Sequence, residues 1–145
     1  IFVDRDGEVI LKKYSPIGEL EDFATEYAEA LYENTQHVTL ICDRDMVIAV
    51  AGAPKKEYLK KPVGNLVESC MDQRRSHIET EPGEPELFRD SSERVESFVV
   101  APIIAGGDPI GAVILLSKKE GVRMGEPEMK MAGTAASFLG KQMEQ

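Results

Sequence analysis

The sequence has no tryptophan, two histidines and two cysteines, and aromatic residues make up 6% of its 145 positions. These scarcities exclude several classes of function. Structural zinc needs about four ligands at characteristic spacing. Cys42, Cys70, His37 and His77 are scattered along the chain and do not supply it, so no metal is expected. The chain opens on acids and a turn rather than on a basic and then an apolar run, so neither a secretory signal nor a disulfide is expected. Both thiols are expected to fill the core. A membrane span needs about 20 uninterrupted apolar residues. The longest apolar stretch, from Phe98 to Leu116, is broken by Gly106, Gly107, Asp108 and Pro109. Positive charge is also short: 17 Lys and Arg stand against 26 Asp and Glu, a net charge of −9. Gripping DNA requires clustered Lys and Arg, so this segment is not expected to hold DNA by itself. The basic pairs Lys55-Lys56, Lys60-Lys61, Arg74-Arg75 and Lys118-Lys119 read as solvated element ends.

Catalytic signatures are missing as well. There is no G-x-S-x-G elbow, and Gly106-Gly107 lies in a hairpin turn rather than between a strand and a helix, so it is no phosphate cradle. Cys70 and His77, with Asp72 beside them, could be nominated as nucleophile and base. Seven residues along a helix separate such side chains by roughly 10 Å, too far for one to activate the other. Asp43 and Asp45 read as turn formers. No catalytic residue and no cofactor are assigned, and an enzyme is not expected.

What is present is ordinary globular composition, 42% hydrophobic and 30% charged, enough for one domain-sized core. Residues 1–14 alternate around Asp6-Gly7 as a β-hairpin. Ser15-Pro16 opens a helix on which Leu20, Phe23, Tyr27, Ala30 and Leu31 recur at helical spacing until about Asn34. Val38–Cys42 and Met46–Ala51 form a hairpin around Asp43-Arg44-Asp45. A short helix covers Lys55–Leu59. A second, with Val63, Leu66, Val67, Cys70 and Met71 on one face, is expected to run to about His77. Residues 79–96, with Pro82, Gly83 and Pro85, read as a mobile loop or irregular edge strand. Phe98–Ile104 and Ile110–Leu116 are near-continuous apolar runs, expected as central antiparallel strands, with Gly111 marking a bulge or a close backbone approach. A last helix begins near Pro127 and carries a stripe of Ala132, Ala135, Ala136, Leu139 and Met143, flanked by Met131 and Phe138. Strands joined by hairpins with helices grouped together make this an α+β fold, an antiparallel sheet flanked by helices.

Two surfaces are candidate sites. Phe23, Tyr27 and Leu31 of the first helix, with Ala132, Ala135, Ala136, Leu139 and Met143 of the last, are the candidate dimer interface, because two such helix pairs would make a four-helix bundle about a twofold axis. The competing reading turns both stripes onto the chain's own sheet. Cys42, Cys70, Met71, Arg74, His77, Phe98 and Val100 are the candidate lining of a small-molecule pocket between the sheet and the 63–77 helix, under the 79–96 segment. Arg74 and His77 would be its convergent polar groups. Helix-ending cations are favourable without any ligand.

Residues 98–117, FVVAPIIAGGDPIGAVILLS, resemble the signature hairpin of GAF domains: a strand ending in Pro-Ile, a Gly turn, then Pro-Ile-Gly-x-Val. Residues 38–52, VTLICDRDMVIAVAG, resemble that fold's opening hairpin, and residues 1–14, IFVDRDGEVILKKY, resemble the tail of an AbrB-like swapped-hairpin DNA-binding domain. The two modules in this order resemble the stage V sporulation protein T family. The resemblance implies a hairpin remnant over 1–14 and a GAF-like regulatory domain over 15–145. It implies the regulatory and oligomerisation part of a cytoplasmic sporulation transcription regulator: a homodimer, or a tetramer in full length, with an unknown small-molecule ligand. DNA would be reached only through a domain upstream of Ile1, and a chain beginning with Ile rather than Met is expected to be a fragment. Phe88 is followed by Arg89-Asp90-Ser91-Ser92-Glu93 with no preceding Asn-Lys, which departs from the cyclic-nucleotide GAF pattern. The alternatives are a purely structural assembly domain without ligand and an enzyme like the GAF-type free methionine sulfoxide reductases.

Overall fold

The apolar runs at 98–104 and 110–116 become the two longest strands. They lie at the centre of a five-stranded sheet in a computed structural model that describes residues 3–4, 6–7, 16–89 and 91–144, with side chains from Leu20 onward. Near the start, β1 (Val3–Asp4) pairs antiparallel with β2 (Asp6–Gly7). The rest of the expected 1–14 hairpin, and the Ser15 cap, lie outside the described residues. Then follow α1 (Pro16–Thr35), β3 (Val38–Asp43), β4 (Val47–Ala51), α2 (Lys55–Tyr58) and α3 (Asn65–Gln73). After these come β5 (His77–Glu79), β6 (Ser97–Ala105), β7 (Asp108–Ser117) and α4 (Glu126–Met143). The sheet order is β4-β3-β7-β6-β5, and every pairing in it is antiparallel.

Near-continuous apolar strands arise because the sheet is covered on both faces. Alternate side chains divide between two layers. Ile41, Val99, Ala101, Ile103, Val113 and Leu115 meet Leu20, Ala24, Ala28 and Leu31 of α1 and Ala132, Ala135, Ala136 and Leu139 of α4. Their neighbours Leu40, Cys42, Phe98, Val100, Ala112, Ile114 and Leu116 meet Tyr58, Val63, Val67, Cys70 and Met71. A bulge in the β3–β4 pair places Cys42 opposite Val47 and Ile41 opposite Ala49. The extra residue, Ile48, thereby joins Ala49 in the α1/α4 layer.

Local chemistry explains the turns. Gly106 and Gly107 have φ of 59° and 86°, the pair of positive values that the two-residue turn of a twisted hairpin demands. The Asp43 carboxylate accepts the backbone N–H groups of Asp45 at 2.7 Å and Met46 at 2.8 Å, so this acid serves its own turn. At the start of α4 the Glu128 carboxylate accepts the Gly125 N–H at 2.7 Å, half of a capping box. Gly111 combines both anticipated features: a register shift falls at its β6 partner, Ile103, and its Cα faces the Cys42 carbonyl oxygen too closely for any side chain.

Two expectations change. The helix expected to reach about His77 ends at Gln73. Arg74 turns left-handed at φ 54°, and the N–H groups of Arg74 and Arg75 close on the carbonyls of Met71 and Cys70. His77 is thereby freed to start the edge strand β5, opposite Val100. The segment expected to be mobile is also anchored. Leu87, Phe88 and Val95 are buried, and Val63–Phe88 and Gly83–Val95 form isolated bridges. Glu93 accepts from Tyr58 Oη at 3.2 Å and pairs with Lys118 at 2.7 Å, and Arg89 pairs with Glu68 at 2.8 Å. Each buried apolar side chain contributes about 1.5–3 kcal/mol, against ~0–1 for an exposed ion pair. The apolar anchors therefore hold this segment, and the ion pairs tune it.

Candidate functional site

The space between the sheet and α3, where a ligand was expected, is filled by the chain itself. Cys42, Met71 and Val100 are fully buried and Phe98 nearly so, all in one continuous apolar layer with Tyr58, Leu87 and Phe88. Of the candidate pocket residues, Cys70, His77 and Arg74 border open spaces, and Cys70 and His77 share one. These two line a polar cleft of about 580 Å³ on the outer side of α3, with Asn65, Ser69, Gln73 and Glu86. The His77 ring stacks on Phe98 with centroids 5.5 Å apart. Its Nε2 lies 3.4 Å from Glu79 Oε1, outside hydrogen-bonding geometry. Arg74 goes elsewhere: its Nε donates to the Gly107 carbonyl at 2.9 Å, and it borders a second cleft of about 300 Å³ against α4. The sequence placed Arg74 and His77 in one pocket, and the left-handed turn at Arg74 sends them to neighbouring ones, joined by Ser76.

Sequence reasoning missed the polar lining of the larger cleft. Asn65, Ser69 and Gln73 recur every four residues on the outer face of α3, a pattern that reads as a solvated helix side. Nothing in spacing or composition marks it otherwise.

The two cysteines are chemically quiet. Burial pushes the Cys42 thiol up from its ordinary 9.0 to about 12, and burial also raises that of Cys70. Thiol chemistry proceeds through the thiolate, so neither is poised as a nucleophile. Folded Cys42 should resist an aromatic disulfide reagent at pH 8 and react at the ordinary rate once urea unfolds the chain; equal rates in both states would contradict this burial. The raised value also sets a pH dependence. The unfolded thiol loses its proton first, so the stabilisation is complete below pH 9 and is lost as pH rises toward 12. At about 1.4 kcal/mol per unit, the loss approaches roughly 4 kcal/mol. Urea midpoints of the parent chain should fall more steeply across that window than those of Cys42→Ala.

The α1/α4 side presents the contrasting surface. Leu31, Ala132, Ala135, Ala136 and Leu139, all placed at a dimer interface by the sequence reading, are buried in the chain's own core. Phe23, Tyr27 and Met143 pack half-buried against it. The small side chains let α4 lie close to β6, with Gly140 against the Ile104 backbone. Outside them the two helices form an apolar groove of about 420 Å³, whose walls include Tyr27, Ala30, Met131, Thr134 and Phe138. Phe138 is 53% exposed and stacks on Tyr27 at 6.4 Å, and Met131 is 39% exposed. Among the described residues, no helix is long and apolar enough to cross a membrane.

The fold has relatives. The structure is similar to the GAF domain of an Acinetobacter phosphoenolpyruvate-protein phosphotransferase. The TM-score is 0.68 at 15% identity, over 86% of this chain and 81% of that one. A type II free methionine-R-sulfoxide reductase from Thermoplasma acidophilum also has a TM-score of 0.68, at 13% identity over 89% and 95% of the two chains. At such identities the likeness shows the GAF fold alone and lends no support to a reductase reading. Sequence comparison reaches further. Stage V sporulation protein T of Bacillus subtilis (strain 168) is 56% identical over 145 residues, all of this chain and 80% of that protein. The family described as stage V sporulation protein T C-terminal, transcription factor, matches residues 19–144. This chain therefore belongs to the stage V sporulation protein T transcription factor family, whose C-terminal domain it carries in a GAF fold.

Proposed function

We propose that this domain regulates transcription by self-association, two copies docking through the groove between α1 and α4. The observation that carries this reading is the exposed Phe138, with Met131 and the Tyr27 ring beside it, on the outer side of two adjacent helices. Apolar side chains grouped on one face, rather than scattered singly, are the kind of surface that marks an interaction site. Laying the same helix pair of a second copy across it makes an isologous contact with the geometry of a four-helix bundle. In this reading DNA contact belongs to a separate N-terminal domain of the cytoplasmic regulator, because the net charge of −9 does not suit phosphate binding here. Sedimentation velocity of the chain across micromolar concentrations tests it: the reading expects a dimer, and a monomer throughout would refute it.

A second reading is small-molecule sensing, and one observation favours it. Two open clefts flank the Arg74–His77 segment, and the smaller one borders α4, the helix that carries Phe138. A ligand there would act on the docking helix directly.

A further inference from the structure

We infer that the cleft between the Arg74 turn and α4 is a binding site for a small phosphate-bearing molecule, an inference that rests on the sensing reading above. The cleft, about 300 Å³, brings together Arg74 and Ser76 from the chain after α3 with Ser137 and Lys141 from α4. Two cations and two hydroxyls thus face one space from separate elements. Ser76, Ser137 and Lys141 make no side-chain hydrogen bond or ion pair among the described residues, so their donors are free for a ligand. Arg74 is held in place rather than left to wave. Its left-handed backbone, φ 54°, is costly for a residue with a side chain. Its Nε donates to the Gly107 carbonyl at 2.9 Å and its Nη1 to the Asp72 carbonyl at 3.1 Å, which leaves Nη2 to donate elsewhere.

One acid borders the same space. The Glu144 carboxylate accepts the Gly106 N–H at 3.0 Å, so part of its charge is already satisfied, and the two cations still outweigh it. Both helices also end here, at α3 and α4, and their carbonyl ends carry partial negative charge. The α3 carbonyls of Cys70 and Met71 are closed by the N–H groups of Arg74 and Arg75. The donors come from separate elements, the chain after α3 and α4, so an oxyanion with three terminal oxygens can engage more of them at once than a carboxylate with two. Pro102 and Ile104 supply an apolar wall for a small organic substituent.

A ligand spanning Arg74 and Lys141 would fix α4 against the β6–β7 turn, one residue from Phe138 on its Ser137 side. Titration of the 145-residue chain with inorganic phosphate at constant ionic strength, followed by amide NMR, tests the site. Expected are saturable shifts confined to Arg74–Ser76 and Ser137–Lys141. Lys141→Gln and Ser137→Ala should each weaken binding, the former by about tenfold or more. Lys56→Gln removes the same charge from an exposed helix remote in sequence and should leave affinity unchanged. Acetate is the second arm, and binding as tight as phosphate would overturn the phosphate assignment. Non-saturating shifts, or equal loss in Lys56→Gln and Lys141→Gln, would overturn the site. Sedimentation of the same samples keeps the two readings apart, since dimers without phosphate binding leave self-association standing and remove only this proposal.

Discussion

Phe138→Glu should convert dimers of this chain into monomers without unfolding it. The side chain is 53% exposed in the single chain, so replacing it costs the folded monomer little. In a twofold dimer each copy contributes the residue once, and each would bring an unpaired carboxylate into an apolar groove. An aromatic anchor at the centre of an interface is worth about 2 kcal/mol or more, and burying a charge adds to the loss. Counted on both sides, the dimer should weaken by roughly a thousandfold. Sedimentation velocity reads the dissociation constant, and thermal unfolding at a concentration where both proteins are monomeric confirms that the fold survives. Phe138→Leu, still apolar, should retain most of the association. A dimer unaffected by Phe138→Glu would place the contact elsewhere.

The second large effect concerns stability. Gly111→Ala should destabilise the chain by about 3 kcal/mol, the upper end of the usual cost of overpacking. A Cβ at Gly111 would meet the Cys42 carbonyl oxygen head-on, with the Cys42 carbonyl carbon at 3.2 Å and Asp43 Cα at 3.3 Å. These atoms are backbone in the β3–β7 pair, at the middle of the sheet, and cannot swing aside as a side chain would. The melting temperature should drop by about 10 °C. Gly106→Ala is the informative contrast. Its Cβ would meet nothing within 4 Å, so only the left-handed backbone penalty applies, about 1–2 kcal/mol. A smaller loss at Gly111 than at Gly106 would mean that the two strands can separate there at little cost.

The strands β3, β4, β6 and β7 and the two hairpins they form were legible because each level of the chain agrees with the next. The apolar runs, the Gly106-Gly107 turn and the Asp43 turn all specify antiparallel hairpins, and the structure has them. The end of α3 was not legible. A helix stop normally shows as Gly or Asn, and here an arginine takes the left-handed position, so nothing in composition separated Gln73 from His77. The alanine stripe of α4 was read as one wall of a dimer interface, with the chain's own sheet as the competing reading, because periodicity does not say which layer a stripe meets. Ala132, Ala135 and Ala136 meet β6 and its neighbours, and the flanking Met131 and Phe138 become the outer face. The same limit applies to the candidate pocket residues. Cys42, Met71, Phe98 and Val100 are what a sheet covered on both faces buries, and apolar side chains at a pocket wall cannot be told by sequence from apolar side chains in a filled core. Ser76, Ser137 and Lys141 had no signal, since lone polar residues near helix ends are ordinary surface.

The claim on which the account turns is that two copies meet across α1 and α4. A spin label at Lys130→Cys, an exposed rim position of the groove, tests it most directly by pulsed dipolar spectroscopy in a Cys70→Ser background, because Cys42 is fully buried and should stay unlabelled whereas Cys70 borders the polar cleft. Helices packed face to face lie about 8–10 Å apart, so the account predicts one narrow inter-copy distance of roughly 20–30 Å once label length is added. A dimer whose labels lie well beyond that range would mean that the copies meet through another surface, and the central claim would be wrong.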